Sequence, residues 1–229
     1  LSIDNELAIS ELLALAPGRA ERRDELEFIE EELARQPHLG EGVIAYFGHA
    51  VHTLEPHEVH AALQTLLDNR PDLWQTWSVM THQLLAMERY PEARSVNDQA
   101  IDRFPMLPRL WLDRAEVCAA TGDDDGQIEA LRQALRISPG WGPAIRELAE
   151  ALDRRRQLDE ACDLLRQAVA RAPLDAANRA LYAEKLWKRG HSTEAVAQMK
   201  EALKLDPGFD HAWRLLHIWC ERMEQPEEV

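Results

Sequence analysis

The amino-acid sequence predicts an all-α protein, an α-solenoid built from repeated pairs of helices. Three observations lead to this prediction. Prolines recur every 34 residues over most of the 229-residue chain. Two amphipathic helical patterns lie between successive prolines, and a shift of 34 residues reproduces both. A fixed period of this length is typical of helical arrays in which each pair of helices packs against the next.

The prolines mark the end of each predicted repeat. Each follows one helical pattern and precedes another, where a residue without an N–H ends one helix and can open the next. The six positions in this series are Pro37, Pro71, Pro105, Pro139, Pro173 and Pro207.

The segment 140–173 shows both helices of one repeat. Ile145, Leu148, Ala149 and Leu152 form an apolar stripe at helical spacing in the first helix. A column of the second helix holds Leu66 and then alanine in the next four repeats, and small residues let two helix backbones approach closely. Between the helices, another column holds glycines that can end a helix in the left-handed conformation. These columns contain Leu66, Ala100, Ala134, Ala168 and Ala202, and Gly122 and Gly190.

This pattern resembles the tetratricopeptide repeat family. The resemblance rests on the 34-residue period, the aromatic residue that opens the first helix, the small residues where the two helices cross, and the closing proline. It implies a right-handed α-solenoid of helix-turn-helix repeats that is a non-catalytic protein-interaction scaffold. The residues that carry it are Trp77, Trp111 and Trp213, Ala115, Ala149 and Ala183, and Ala93, Ala161 and Ala195.

The register predicts five 34-residue repeats over residues 40–207. Residues 1–39 are expected to form a degenerate first repeat or an N-terminal cap, because Pro17-Gly18 shortens the first helix, and Glu25 and Glu32 occupy columns that should be small or apolar.

Residues 208–229 are predicted to form the first helix of a further repeat, either truncated or acting as a cap. Pro226 to Val229 match the columns of Tyr90 to Ala93, so the chain stops where a second helix would begin. The last helix is apolar on most of its circumference, which makes a homodimer through the C-terminal helix possible.

The family resemblance also implies a peptide-binding groove along the first helices. Its N-terminal part is apolar and neutral, whereas its C-terminal part carries mixed charge around Trp187. A peptide with alternating charges and an apolar anchor would suit this surface, with Trp187 as the main contact; alternatively, Trp187 covers a neighbouring repeat. The predicted groove residues are Gln75, His82, Arg109, Glu116, Arg146, Glu150, Asp153, Arg154, Glu184, Trp187 and Lys188.

Four histidines in the segment 49–60 suggest a metal site at first sight. His52 and His57 lie almost opposite the faces by which their two helices meet, and His49 and His60 lie a quarter-turn or more away. Zinc requires ligands that converge on one point. We therefore expect no structural four-histidine site, while weak binding by one pair of histidines is left open.

The sequence contains no recognisable catalytic or cofactor-binding motif. It lacks a nucleophile elbow, a phosphate-binding glycine loop and a C-x-x-C pair. Asp123 to Gly126 lack the spacing of a calcium loop and are expected to serve as turn and cap residues. We predict no enzymatic activity, no metal and no cofactor.

Composition limits the partners. With 41 acidic and 26 basic residues the net charge is −15, which disfavours nucleic acid and anionic membranes. No apolar run is long enough to insert into a membrane, and three scattered cysteines indicate a reducing compartment, so a cytoplasmic location is expected. The partner is then a protein or peptide, whose identity the sequence does not give.

Two other functions remain open at this stage. The chain could be the substrate-recruiting or regulatory arm of a larger multidomain enzyme, since similar arrays precede the catalytic region in the protein O-GlcNAc transferases. It could also be a self-assembly module that associates through the apolar C-terminal helix.

Overall fold

The structure, a computed structural model, describes residues 3–36 and 39–224. These residues form 13 α-helices and no strand, which confirms the all-α fold of repeated helix pairs. Within the same ranges, no helix combines the length and apolar character that a membrane span requires. The helices are α1 (Glu6–Leu15), α2 (Arg19–Arg35), α3 (Glu41–Thr53), α4 (Pro56–Asn69), α5 (Trp74–Ala86), α6 (Tyr90–Arg103), α7 (Pro108–Ala120), α8 (Asp124–Ile137), α9 (Gly142–Arg154), α10 (Leu158–Arg171), α11 (Ala176–Lys188), α12 (Ser192–Leu205) and α13 (Asp210–Glu224).

The proline series coincides with the loops that follow the second helix of each pair. Pro71, for example, lies between α4 and α5, and Pro105 lies between α6 and α7. Two predicted features fall outside the described residues. These are Pro37 and the segment Pro226 to Val229, on which the register of the chain end was based.

The chain divides into two compact units, which we call unit 1 (Leu1–Asp123) and unit 2 (Asp124–Val229). In unit 1 the first helices α3, α5 and α7 are neighbours, and in unit 2 the first helices α9, α11 and α13 are neighbours. The boundary falls at the start of α8, whose first turn contains Asp124 and Asp125. Acidic side chains there are favourable because the N-terminal end of a helix carries partial positive charge.

The apolar stripes form the core of each unit. In α9 the whole predicted stripe is buried, and the stripe of α10 that contains Leu165 is buried against it. Ala149 of α9 and Ala161 of α10 are fully buried, as are Ala183 of α11 and Ala195 of α12. Burial of these small side chains is what the predicted close crossing of the paired helices requires.

The tryptophan near the start of a first helix forms a hydrogen bond to the loop that precedes the helix. The indole N–H of Trp77 donates to the carbonyl of Pro71 at 2.9 Å, and Trp213 makes the same 2.9 Å bond to Pro207. Trp111 likewise donates to the carbonyl of the series proline before it, at 3.2 Å. In one of the repeats that lack a tryptophan at this position, the guanidinium of Arg179 donates to the equivalent proline carbonyl at 3.0 Å. The side chain thus fixes the loop between two repeats by satisfying a carbonyl at its end.

The 34-residue period also appears in the backbone. Gly122 and Gly190 adopt positive φ angles of 73° and 86°, as the sequence predicted. The same column holds Glu88 and Arg156, with φ angles of 57° and 60°. In these four repeats the turn between the two helices has a left-handed residue even where the sequence supplies a non-glycine side chain, at a cost in stability, whereas Leu54 in the same column is extended, with a φ angle of −93°.

Candidate functional site

The predicted groove residues lie on the first helices of both units. We call the surface of α5 and α7 the unit 1 face, and the surface formed by α9, α11 and α13 the unit 2 face. Helices α5 and α7 carry the predicted residues Gln75, His82, Arg109 and Glu116; α9 and α11 carry Arg146, Glu150, Asp153, Arg154, Glu184, Trp187 and Lys188.

Gln75 does not lie on the unit 1 face as a contact residue. Its side chain is buried, with 5% of its surface exposed, and its amide N–H donates to the carbonyl of Leu39 at 2.8 Å. Gly40 approaches this amide so closely that a Cβ atom there would lie 2.5 Å from it. Gln75 therefore ties the loop before α3 to α5, and its prediction as a groove residue is corrected.

A histidine and two carboxylates converge on the unit 1 face. His82 Nε2 of α5 lies 3.2 Å from Asp113 Oδ1 and 3.2 Å from Glu116 Oε2, both of α7. Arg109, one turn before Asp113, donates from Nε to Asp113 Oδ1 at 2.9 Å. The face thus joins two neighbouring repeats through a polar cluster of four side chains.

The surroundings of His82 favour its charged form. Burial by itself lowers the pKa of His82, but the hydrogen bonds to Asp113 and Glu116 outweigh burial and raise the pKa to about 9. In the absence of another cation, the imidazole is therefore positively charged at neutral pH and pairs with both carboxylates.

The unit 2 face is built around a buried lysine. Lys185 of α11 is 1% exposed, and its Nζ lies 2.8 Å from Glu150 Oε1 and 2.7 Å from Asp153 Oδ2 of α9. Lys188 reaches the same oxygen of Asp153 at 2.5 Å. Burial raises the pKa of Asp153, but its hydrogen bonds to Lys185 and Lys188 prevail, so the pKa lies below its usual value.

Two arginines extend this face. Arg146 donates from Nη1 to Asn178 Oδ1 at 3.1 Å and lies 3.6 Å from a carboxylate oxygen of Asp175. Arg154 is exposed and donates to Gln127 Oε1 at 2.8 Å. Both guanidinium groups are held in place by residues of neighbouring helices.

Trp187 packs against the next repeat. Its indole stacks on Trp219 of α13, with ring centroids 4.7 Å apart and planes inclined by 5°. Trp219 is buried, whereas Trp187 is partly exposed. Beside them, Glu184 Oε1 lies 3.4 Å from His211 Nε2, and burial raises the pKa of Glu184. Trp187 thus covers a neighbouring repeat and keeps part of its ring at the surface.

The four clustered histidines do not converge in the structure. His49 bonds through Nε2 to Ser10 Oγ at 3.1 Å, and His52 and His57 are exposed. Among the described residues, the only group of three or more potential ligands that lie together is His82, Asp113 and Glu116.

Sequence reasoning missed Lys185 and Asp113. Lys185 lies beside Leu186 in the apolar stripe of α11, and Asp113 lies in α7 between the predicted groove residues Arg109 and Glu116. The signal for Asp113 was its position four residues after Arg109 on the same helix. Lys185 gave no local signal, because its carboxylate partners are one repeat away.

Comparison with protein-family models gives a match to the tetratricopeptide repeat over residues 82–140 and 146–209, which is more than half of the chain. Comparison with curated protein sequences gives no match.

Solved structures with similar folds are tetratricopeptide repeat proteins and a larger yeast protein. Yeast Tom70 has a TM-score of 0.77 at 12% identity, over 98% of this chain and 47% of Tom70. TTC0263 from Thermus thermophilus has a TM-score of 0.60 at 18% identity, over 83% of this chain and 98% of that one. YrrB, described as having an unusual peptide-binding site, has a TM-score of 0.53 at 15% identity, over 82% and 95%. At these identities the similarity concerns the fold alone.

Proposed function

This chain belongs to the tetratricopeptide repeat family, and on that premise we propose that it is a non-catalytic module that binds a peptide segment along the unit 2 face. The fold itself implies a protein-interaction scaffold. YrrB, a protein of similar fold, is described as having a peptide-binding site, which supports the choice of a peptide as ligand.

The ordered charges of the unit 2 face carry this proposal. Lys185 holds Glu150 and Asp153, and Asp153 in turn holds Lys188. Side chains that are fixed before binding lose little conformational entropy when a ligand arrives. Glu150 and Lys188 remain substantially exposed, with 40% and 55% of their side-chain surfaces accessible, so both can still pair with a ligand.

The composition of the face indicates the chemistry of the ligand. It presents both signs of charge, from Glu150 and Arg154 of α9 and from Lys188 of α11, beside the partly exposed Trp187. A peptide with both acidic and basic side chains and one large apolar residue matches this pattern. We assign the apolar residue to the Trp187 ring, because aromatic anchors provide much of the binding energy at protein interfaces.

Selection of peptides from a random library displayed on phage tests this function. The full chain is compared with a variant that carries Trp187→Ala and Arg146→Glu, and with the control Arg166→Glu on the second helix α10. We expect enriched peptides to bind the parent chain and the control equally, and to bind the face variant at least tenfold more weakly. Equal binding to all three would place the peptide site elsewhere and refute the proposal.

Self-association through α13 is a second candidate function. Trp213, Ile218 and Met223 are large apolar side chains of this helix, and each remains 41–50% exposed. Exposed apolar residues on one helix are a common feature of subunit interfaces. Analytical ultracentrifugation of the full chain and of Ile218→Lys tests this candidate, since a dimer that persists in the variant, or a chain that is monomeric throughout, would exclude it.

A further inference from the structure

We propose that His82, Asp113 and Glu116 form a binding site for a divalent first-row transition-metal ion, for which Zn²⁺ is the appropriate probe. The three residues come from two consecutive first helices, α5 and α7, and their ligand atoms all lie within 4.8 Å of one another. One imidazole with two carboxylates is a donor set that such ions accept. This inference is independent of the proposed peptide site, which lies on unit 2.

The distances fit a metal with little rearrangement. In a tetrahedral zinc site with bonds of about 2.0–2.2 Å, neighbouring ligand atoms are separated by roughly 3.3–3.5 Å. His82 Nε2 lies 3.2 Å from an oxygen of Asp113 and 3.2 Å from an oxygen of Glu116. Both separations are close to the edge of such a tetrahedron, and the ligand atoms of Asp113 and Glu116 lie within 4.8 Å of each other, so rotation of the exposed Glu116 side chain can complete the site.

A second observation points to a ligand. The Asp113 side chain is 0% exposed, and within the described part of the chain its Oδ2 atom has no hydrogen-bond partner. A buried carboxylate oxygen without a partner is costly and rare in native proteins. A metal ion bound at the Asp113 carboxylate would compensate this buried charge, while the 2.9 Å bond from Arg109 Nε to Oδ1 would continue to orient the carboxylate.

The charge and accessibility of the cluster are also suitable. An ion bound to His82 displaces the proton of the imidazole, and the two carboxylates with Arg109 then leave one negative charge beside the neutral ring, which favours a divalent cation. Glu116 is 46% exposed and His82 is 22% exposed, so an ion can reach the site from solvent. Three protein ligands leave a fourth position for water or for a donor group of a bound partner.

Equilibrium competition with a chromophoric zinc chelator tests the proposal. The full chain is treated with EDTA, exchanged into metal-free buffer and titrated with ZnCl₂. We expect Glu116→Gln and His82→Gln each to weaken zinc affinity at least tenfold, while Glu129→Gln, an exposed control on α8, leaves it unchanged. Glu116 is the decisive position, because replacement of an exposed side chain does not threaten folding, which circular dichroism of each variant verifies.

A second control separates this site from the clustered histidines. The double variant His52→Gln and His57→Gln should retain the zinc affinity of the parent chain. X-ray absorption of the zinc-loaded protein should show one nitrogen and at least two oxygen ligands. The proposal is overturned if Glu116→Gln and His82→Gln bind zinc like the parent chain, if the double variant abolishes binding, or if several histidine nitrogens surround the metal.

Discussion

Lys185 Nζ lies 2.7 Å from Asp153 Oδ2 and joins α11 to α9 through a side chain that is 1% exposed. Replacement by methionine keeps the volume but leaves the carboxylates of Glu150 and Asp153 without their shared cation. Removal of one partner of a buried pair usually costs about 3–5 kcal/mol, and the partial exposure of the two carboxylates reduces this expectation to about 2 kcal/mol.

Urea unfolding of Lys185→Met measures this cost. Lys204→Met serves as the matched control, because Lys204 is 70% exposed and its pair with Glu201 lies within one helix. We expect the control to change the free energy of unfolding by less than about 0.5 kcal/mol. A similar small change for Lys185→Met would show that the buried pair does not stabilise the repeat interface.

The stacking of Trp187 on Trp219 should contribute an interaction energy between helices α11 and α13. Stacked aromatic pairs contribute about 0.5–1.5 kcal/mol beyond the burial of their surface. A double-mutant cycle with Trp187→Ala and Trp219→Ala, followed by urea unfolding, isolates this contribution. If the stability losses of the two single variants add up to the loss in the double variant, the two rings contribute no interaction energy to each other.

Stability should depend on pH through His82. Because its pKa rises from 6.5 in the unfolded chain to about 9, its contribution is fully present below pH 6.5 and is lost as pH rises through 9. At about 1.4 kcal/mol per pKa unit, the contribution is about 2–4 kcal/mol. Burial of His82 opposes this rise in pKa, and the hydrogen bonds and charges of Asp113 and Glu116 outweigh it; Arg109 pairs with Asp113 in the same cluster.

Urea unfolding in EDTA at pH 6 and at pH 9.5 checks this dependence. The stability advantage of the parent chain over His82→Gln should be large at pH 6 and should shrink at pH 9.5. An advantage that stays constant or grows with pH would contradict the assigned charge of His82.

Substitutions at the left-handed positions between paired helices should change stability in opposite directions, depending on whether glycine is introduced or removed. Arg156 has a φ angle of 60° and an exposed side chain, so Arg156→Gly should stabilise the protein by about 0.5–1 kcal/mol. Gly190 has a φ angle of 86° and open space around it, so Gly190→Ala should destabilise it by a similar amount. Thermal unfolding of both variants checks the pair, and a loss of stability in Arg156→Gly would show that its side chain outweighs the backbone strain.

The sequence was sufficient for the fold because every repeat carries its own local signals. The burial of Ile145 and Leu148, the position of Pro71 and the left-handed Gly122 all follow from helical spacing and turn chemistry. Each of these signals depends on residues within a single repeat. Local pattern and global structure therefore agree over the described repeats.

The sites were less predictable because they depend on contacts between repeats. Lys185 pairs with Asp153, and His82 pairs with Glu116. The two members of each pair lie about one repeat period apart in the chain, and the period alone does not determine which side chains pair. Gln75 shows the converse, since a column that faces the surface elsewhere is buried there by the loop at Leu39. Equivalent positions of the repeats predict which face of a helix a residue lies on. Whether the residue is buried, and which residue it pairs with, depends on the neighbouring repeats and loops that pack against it.

Amide hydrogen–deuterium exchange of the full chain, with and without a peptide obtained by selection, tests the central claim most directly. We expect slower exchange in α9 and α11 when the peptide is bound, and loss of this protection in the variant with Trp187→Ala and Arg146→Glu. Protection confined to the second helices α10 and α12, with α9 and α11 unchanged, would contradict a peptide site on the unit 2 face.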